Sequence, residues 1–153
     1  MIPKSVCVYC GSRPGRDSAY AAAAALALGP TVAAAADHAM GAAAVMAENQ
    51  SVANGVVSAT KVVAPANGWL VVHRTDGAKP GPVVGYAPLR AGANTDVAAI
   101  LTEPVQPGEM LMLMVHGEEG GMKTGAFEYT LGAKEDGPIR KDGALVMKVV
   151  TAE

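Results

Sequence analysis

Two histidines and a run of alternating methionines carry most of the donor chemistry in this sequence. His73 follows the apolar run WLVV, and His116 follows the apolar run MLMV. If both runs are strands, alternation puts Met110, Met112 and Met114 on the face of His116. Imidazole and thioether groups are ligands that suit copper. The sequence therefore predicts a candidate metal site, with copper as the candidate ion, formed by His73, His116, Met114 and Met122.

A second interpretation of the same residues involves no ion. Each histidine would then make its own hydrogen bond at the rim of a sheet, and the methionines would fill the core, as methionines in apolar strands commonly do. The two interpretations differ in whether His73 and His116 lie close together. We expect them to do so if their strands are neighbours in a compatible register, because each histidine ends its strand and the two strand ends could converge at one end of the sandwich.

The cysteines restrict the kind of metal site that the chain can form. Cys7 and Cys10 are the only two cysteines, so the rest of the chain has no thiolate. A blue-copper centre, which requires a cysteine ligand, is therefore not expected. The C-x-x-C spacing at Cys7 needs a helix N-terminus or a second ligand pair to act as a redox or zinc motif, and the sequence indicates neither.

Motifs for catalysis and for nucleic-acid binding are absent from the sequence. It contains no G-x-S-x-G, no G-x-G-x-x-G and no P-loop, and a net charge of -2 comes without a basic stripe. The glycine-rich stretch 117–126 offers only Glu118 and Glu119, whereas calcium takes about six or more oxygens. We therefore expect no enzyme activity and no nucleic-acid partner; other partners and the oligomeric state stay open.

The segments that must position the histidines have the sequence pattern of a β-domain. Short apolar runs alternate with turn signals such as Asn54-Gly55, Asp76-Gly77 and Asp142-Gly143. This spacing predicts an all-β, immunoglobulin-like antiparallel sandwich of about seven strands over residues 48–153. Trp69 and the strand 109–116 are predicted to pack inside it. The predicted strands are 48–52, 56–65, 67–75, 82–86, 94–101, 109–117 and 144–151.

A resemblance extends over the same region, from Glu48 to Val150. The ordered strings QSVANG, GWLVVH, GPVVGYAP, AGANTDV, LMLMVH and DGP…DGALV resemble an uncharacterised extracytoplasmic domain of halobacterial surface proteins and exported bacterial proteins. The resemblance implies a β-sandwich located in the periplasm or outside the cell. Its motifs are strand and turn motifs, so it implies no reaction.

The N-terminal segment 1–36 has a different composition. Lys4, Arg13 and Arg16 precede the alanine-rich stretch 19–36, which is typical of an export signal with Ala-x-Ala cleavage before Asp37. An appended fragment is the alternative, and residues 37–47 are predicted to be a flexible tail. In the mature chain we expect no transmembrane anchor, because alanine is weakly apolar and a Gly-Pro pair interrupts the stretch.

The first 25 residues also resemble a second family. VCVYCGSRPGRDSAY is similar to the opening strand and loop of the lonely-guy phosphoribohydrolases, which are often called lysine decarboxylases. The resemblance implies a fragment of a nucleotide phosphoribohydrolase as an alternative function. That family's PGGxGTxxE motif is missing, and the nearest string is Gly120 to Thr124. The favoured prediction is an exported β-sandwich protein with a structural, surface or binding role, with a periplasmic copper-binding module as a further alternative.

Overall fold

The computed structural model describes residues 42–129 and 134–153. The predictions that concern residues 1–41 lie outside the described residues. They include the export signal, the C-x-x-C motif and the phosphoribohydrolase-like opening.

The described chain is built from strands, which confirms the predicted all-β class. No helix occurs among the described residues, and so none there has the length and apolar character to span a bilayer. The strands are β1 (Ala44–Met46), β2 (Val56–Ala64), β3 (Gly68–Thr75), β4 (Pro80–Leu89), β5 (Gly92–Leu101), β6 (Met110–Gly117), β7 (Arg140–Lys141), β8 (Ala144–Leu145) and β9 (Met147–Thr151).

Seven of these strands form one antiparallel sheet that folds over on itself. Its order is β1-β2-β5-β4-β3-β6-β9, while β7 and β8 form a separate two-stranded hairpin. The two edges of the main sheet approach each other: Gln50, which follows edge strand β1, forms a parallel bridge with Ala152, which follows edge strand β9. The Glu153 amide also donates to the Gln50 carbonyl at 2.9 Å. The result is a nearly closed, sandwich-like β-domain in which the sandwich is one continuous sheet.

Strands β3 and β6 are adjacent and are buried on both faces. Leu70 and Val72 of β3 lie in the apolar core with Leu111 and Leu113 of β6. Alternation places the neighbouring residues of both strands on the opposite face, which we call the outer face. The buried outer-face residues of the two strands are Trp69, Val71, His73, Met112, Met114 and His116.

The start of the domain differs from the predicted start at Glu48. Strand β1 begins at Ala44, inside the predicted tail, and pairs with β2. The predicted strand 48–52 is only a bridge at Gln50. There the Gln50 side chain replaces a strand: it accepts from the Ser58 amide and donates to the Ser58 carbonyl, both at 2.8 Å. A side-chain amide has the same donor and acceptor as a peptide group, so alternation alone does not reveal this substitution.

The C-terminal strand is also divided. The predicted strand 144–151 becomes β8 and β9, with Val146 between them. Asp142 and Gly143 link β7 to β8, and both have positive φ, 52° and 83°. Two central residues with positive φ define a type I′ turn, so the Asp-Gly signal located this hairpin correctly.

Candidate functional site

The register of β3 and β6 determines where the two histidines lie. His73 is opposite Met112, and His116 is opposite Trp69, with the pair Val71–Met114 between them. Each histidine lies near the end of its strand, but antiparallel neighbours put those ends at opposite ends of the ladder. The histidines meet because both occupy the outer face and lean towards each other across the central pair.

The two imidazole rings meet tip to tip. Their Nε2 atoms are 3.4 Å apart, and their ring centres are 5.5 Å apart. The distance between the ring centres exceeds the distance between the Nε2 atoms by about the sum of the two ring radii. The Nε2 atoms therefore lie close to the line that joins the ring centres, so the rings point at one another and do not stack face to face. Both side chains are buried, with exposed fractions of 0% for His73 and 1% for His116.

The outer nitrogens of the pair fix its tautomers. His73 Nδ1 lies 2.8 Å from the Gly81 carbonyl oxygen, and His116 Nδ1 lies 2.6 Å from the Asp136 carbonyl oxygen. A carbonyl oxygen can only accept, so both Nδ1 atoms must donate. A neutral imidazole has one N–H, and each Nε2 is therefore left with a lone pair. The geometry thus directs two lone pairs at each other, and a cation between them would relieve this conflict.

Aromatic side chains cover the pair. The Tyr129 ring stands nearly perpendicular to both imidazoles, with centre distances of 4.5 Å to His116 and 5.9 Å to His73. Phe127 packs next to it against Tyr86 at 4.5 Å and Trp69 at 5.6 Å. These contacts keep the outer face of β3 and β6 away from water.

The covering residues belong to the segment between β6 and β7, whose base is tied together. The Gly117 amide donates to the Gly137 carbonyl at 2.9 Å, and the Asp136 amide donates to the Glu119 carbonyl at 2.8 Å. Asp136 also accepts, through Oδ2, from the Glu128 amide at 2.8 Å. The carbonyl that fixes His116 therefore belongs to the same residue that ties the cover in place.

Two buried polar atoms near the pair have no hydrogen-bond partner within the part of the chain that the structure describes. They are Oδ1 of Asp136 and Nε1 of Trp69. Asp136 is only 1% exposed, and its φ of 44° is unusual for a residue other than glycine. Sequence reasoning had not singled out Asp136 as a site residue, because the string DGP reads as an ordinary turn.

The electrostatics of the pair oppose double protonation. Burial lowers the pKa of His73 below its ordinary value. Burial also lowers the pKa of His116, to about 4; the Asp136 carbonyl partly opposes this shift, and repulsion from His73 adds to it. At neutral pH the pair therefore resists acquiring two positive charges, since burial disfavours each charge and a charge on His73 disfavours one on His116.

The other two predicted ligands have different positions. Met114 is 1% exposed and lies on the outer face between the two histidines in the strand register. Met122 is 98% exposed, so it is not buried with the pair. No group of three or more His, Cys, Asp or Glu side chains within residues 42–129 and 134–153 could hold a metal. A metal bound here would depend on two imidazoles and on donors outside those four residue types.

The fold and this site define a small antiparallel β-domain with a buried, covered histidine pair. The chain belongs to the family described as Domain of unknown function (DUF7282), whose family model matches residues 43–153. The match begins one residue before β1 and includes both histidines. No curated protein and no solved structure matches the chain.

Proposed function

We propose that this chain is an exported, non-enzymatic binding protein whose histidine pair binds one metal cation. The observation that carries the proposal is the 3.4 Å contact between the Nε2 atoms of His73 and His116. Both rings are oriented by backbone carbonyls, so the two lone pairs meet in a buried space. A protein that needed only apolar packing at this position would be served better by apolar side chains.

Export is supported by the sequence. The alanine-rich stretch 19–36 follows three basic residues, and the strand motifs from Glu48 onward resemble those of an extracytoplasmic domain. Mass spectrometry of the protein recovered from the periplasm or medium tests this part of the proposal. We expect a mature N-terminus near Asp37; a full-length product retained in the cytoplasm would contradict it.

The binding role competes with a structural role in which the pair shares a proton. A hydrogen bond between the rings would put an N–H on one Nε2 and give that ring a positive charge. The two nitrogens are 3.4 Å apart, which is long compared with about 2.7–3.2 Å for hydrogen bonds from N–H to oxygen, so a proton between the rings would form only a weak bond. Burial also works against the charged imidazolium.

Native mass spectrometry separates the two roles. The purified protein, carrying Cys7→Ser and Cys10→Ser so that its thiols bind no ion, would be exposed to Cu(I), Cu(II), Zn(II), Ni(II) and Co(II) in turn. We expect one tightly held ion per chain in the wild type and none in a His73→Asn/His116→Asn variant. The asparagine amide can still donate to the carbonyl that Nδ1 contacts, so the variant loses Nε2 with little loss of anchoring.

His38 provides the matched control, because it lies outside the described residues and outside the matched family region. His38→Asn should bind the same ion as the wild type. The binding role would be rejected if the wild type retains none of these ions, or if the double variant retains an ion equally well.

A further inference from the structure

The donors around the histidine pair are soft or intermediate in character. The two Nε2 atoms supply neutral imidazole nitrogens, and the Val71–Met114 pair lies between the two histidines on the same face. Met114 is buried on the outer face, so its thioether is shielded from water. Thioether ligands select Cu(I), whereas oxygen-rich sites suit magnesium, calcium and manganese.

The charge of the surroundings favours a monovalent ion. Removing an ion from water has a free-energy cost that rises steeply with its charge, and both imidazoles are neutral ligands. The backbone carbonyl of Asp136 accepts from His116 Nδ1, and the buried carboxylate of the same residue leaves Oδ1 without a partner among the described residues. One carboxylate balances one positive charge, whereas a divalent ion would leave an uncompensated charge in the interior.

The distance between the nitrogens argues against a linear, two-coordinate site. Metal–imidazole bonds are about 2.0 Å long, so a linear arrangement would separate the Nε2 atoms by about 4 Å. The observed 3.4 Å corresponds instead to a bent N–metal–N angle of about 108–116°, given bonds of about 2.0–2.1 Å. That angle fits trigonal or tetrahedral coordination, so at least one further ligand is needed, and Met114 occupies the register position between the two histidines.

We infer that the cation is Cu(I), bound by Nε2 of His73, Nε2 of His116 and the thioether of Met114. The inference rests on the proposed function and adds the identity of the ion and of the third ligand. Zinc fits the site less well, because structural zinc takes four ligands and no third His, Cys, Asp or Glu joins the pair in the described chain.

The test is an anaerobic titration of the full chain with Cu(I) in the presence of the chromogenic chelator bicinchoninate. Cys7 and Cys10 would bind Cu(I) themselves, so every protein would carry Cys7→Ser and Cys10→Ser. We expect this parent to remove one Cu(I) from the chelator. His116→Asn and His73→Asn should each weaken binding by at least about 100-fold, since even the loss of an outer-shell partner weakens sites by about 10–100-fold.

The third ligand is tested by a matched pair of methionine variants. Met114→Leu conserves volume and removes only the sulfur, so we expect about 10-fold weaker Cu(I) binding with an unchanged melting temperature of the apo-protein. Met122→Leu, at an exposed position, should bind as tightly as the parent. Silver(I), a redox-inert probe with similar preferences, should shift the ¹⁵N resonances of both Nε2 atoms.

The outcomes distinguish this inference from the proposed function. Tighter binding of Zn(II) than of Cu(I), with loss in the histidine variants, would overturn Cu(I) and leave the metal-binding role. Equal Cu(I) affinity in Met114→Leu would overturn the third ligand. A proton detected on one Nε2 at neutral pH, together with no metal bound, would overturn both.

Discussion

Acidification of the metal-free protein should destabilise the domain through its histidine pair. In the unfolded chain each histidine has a pKa of about 6.5. In the folded domain, burial lowers the pKa of His73 and brings that of His116 to about 4. A lowered folded pKa means that the unfolded state binds protons first as the pH falls. The stabilisation is therefore complete above the unfolded value and is lost as the pH falls from about 6.5 through about 4.

The magnitude follows from these two pKa values. For His116 alone, an unfolded pKa of 6.5 and a folded pKa of about 4 give a loss of about 2 kcal/mol between pH 7.5 and pH 5. The lowered pKa of His73 adds to this loss. Domains of this size have an unfolding free energy of about 5–15 kcal/mol in total, so the loss is readily measured. His73, Asp136 and the Tyr129 ring all face His116, and of these Asp136 attracts the proton that burial opposes.

Urea unfolding at pH 7.5, 6.5, 5.5 and 5.0, with a chelator present, provides the measurement. The wild type should lose at least about 2 kcal/mol of unfolding free energy between the first and last pH values. His116→Asn keeps a donor for the Asp136 carbonyl but cannot titrate, so its loss should be smaller by about that amount. His73→Asn is the second variant if the first folds poorly. Parallel curves for the wild type and for both variants would refute this reasoning.

Three further expectations follow from the structure. Gly68→Ala should destabilise the domain by about 1–3 kcal/mol in urea unfolding, because its Cβ would collide with the His116 carbonyl oxygen; Gly117→Ala, whose Cβ makes only ordinary contacts, should cost less. If residues 1–36 are an export signal, a chain that begins at Asp37 should melt at the same temperature as the full chain, and a loss of several degrees would contradict this. When the free Cu(I) concentration is 100 times the dissociation constant, Cu(I) should stabilise the domain by about 2.7 kcal/mol. A melting temperature that does not rise would contradict binding to the folded state.

The strands of the domain were largely predictable because their signals are local. The apolar runs of β3 and β6 and the Asp142-Gly143 turn depend only on neighbouring residues, and the structure has them where the sequence places them. The strand predicted at 48–52 was wrong because the Gln50 amide takes over the hydrogen bonds of a strand. The Gln50 side chain bonds to the backbone of a residue eight positions away, and such a contact leaves no periodic pattern in the sequence.

The candidate site was only partly predictable, since it depends on contacts distant in sequence. Apolar runs that end in histidine identified His73 and His116, but the reason for their proximity is their shared face and not a shared strand end. Asp136 lies 20 residues from His116, and its role depends on a positive φ and on a backbone carbonyl. Such roles do not depend on side-chain type, and so no motif reveals them. Met122 was included because it is near in sequence, and the structure exposes it.

Three acceptors at the outer face share one chemical requirement, whereas the fourth buried group, Nε1 of Trp69, is a donor that no cation satisfies. The Nε2 atoms of the histidine pair present two lone pairs, and Oδ1 of Asp136 presents a buried oxygen that has no donor among the described residues. All three are acceptors, so a water molecule could satisfy at most two of them with its two protons. A single positive charge at the pair would both bond the lone pairs and compensate the carboxylate. Because the aromatic cover excludes water, the electrostatic attraction between that charge and the three acceptors would be strong. The burial of the site is therefore part of what would make it a cation site.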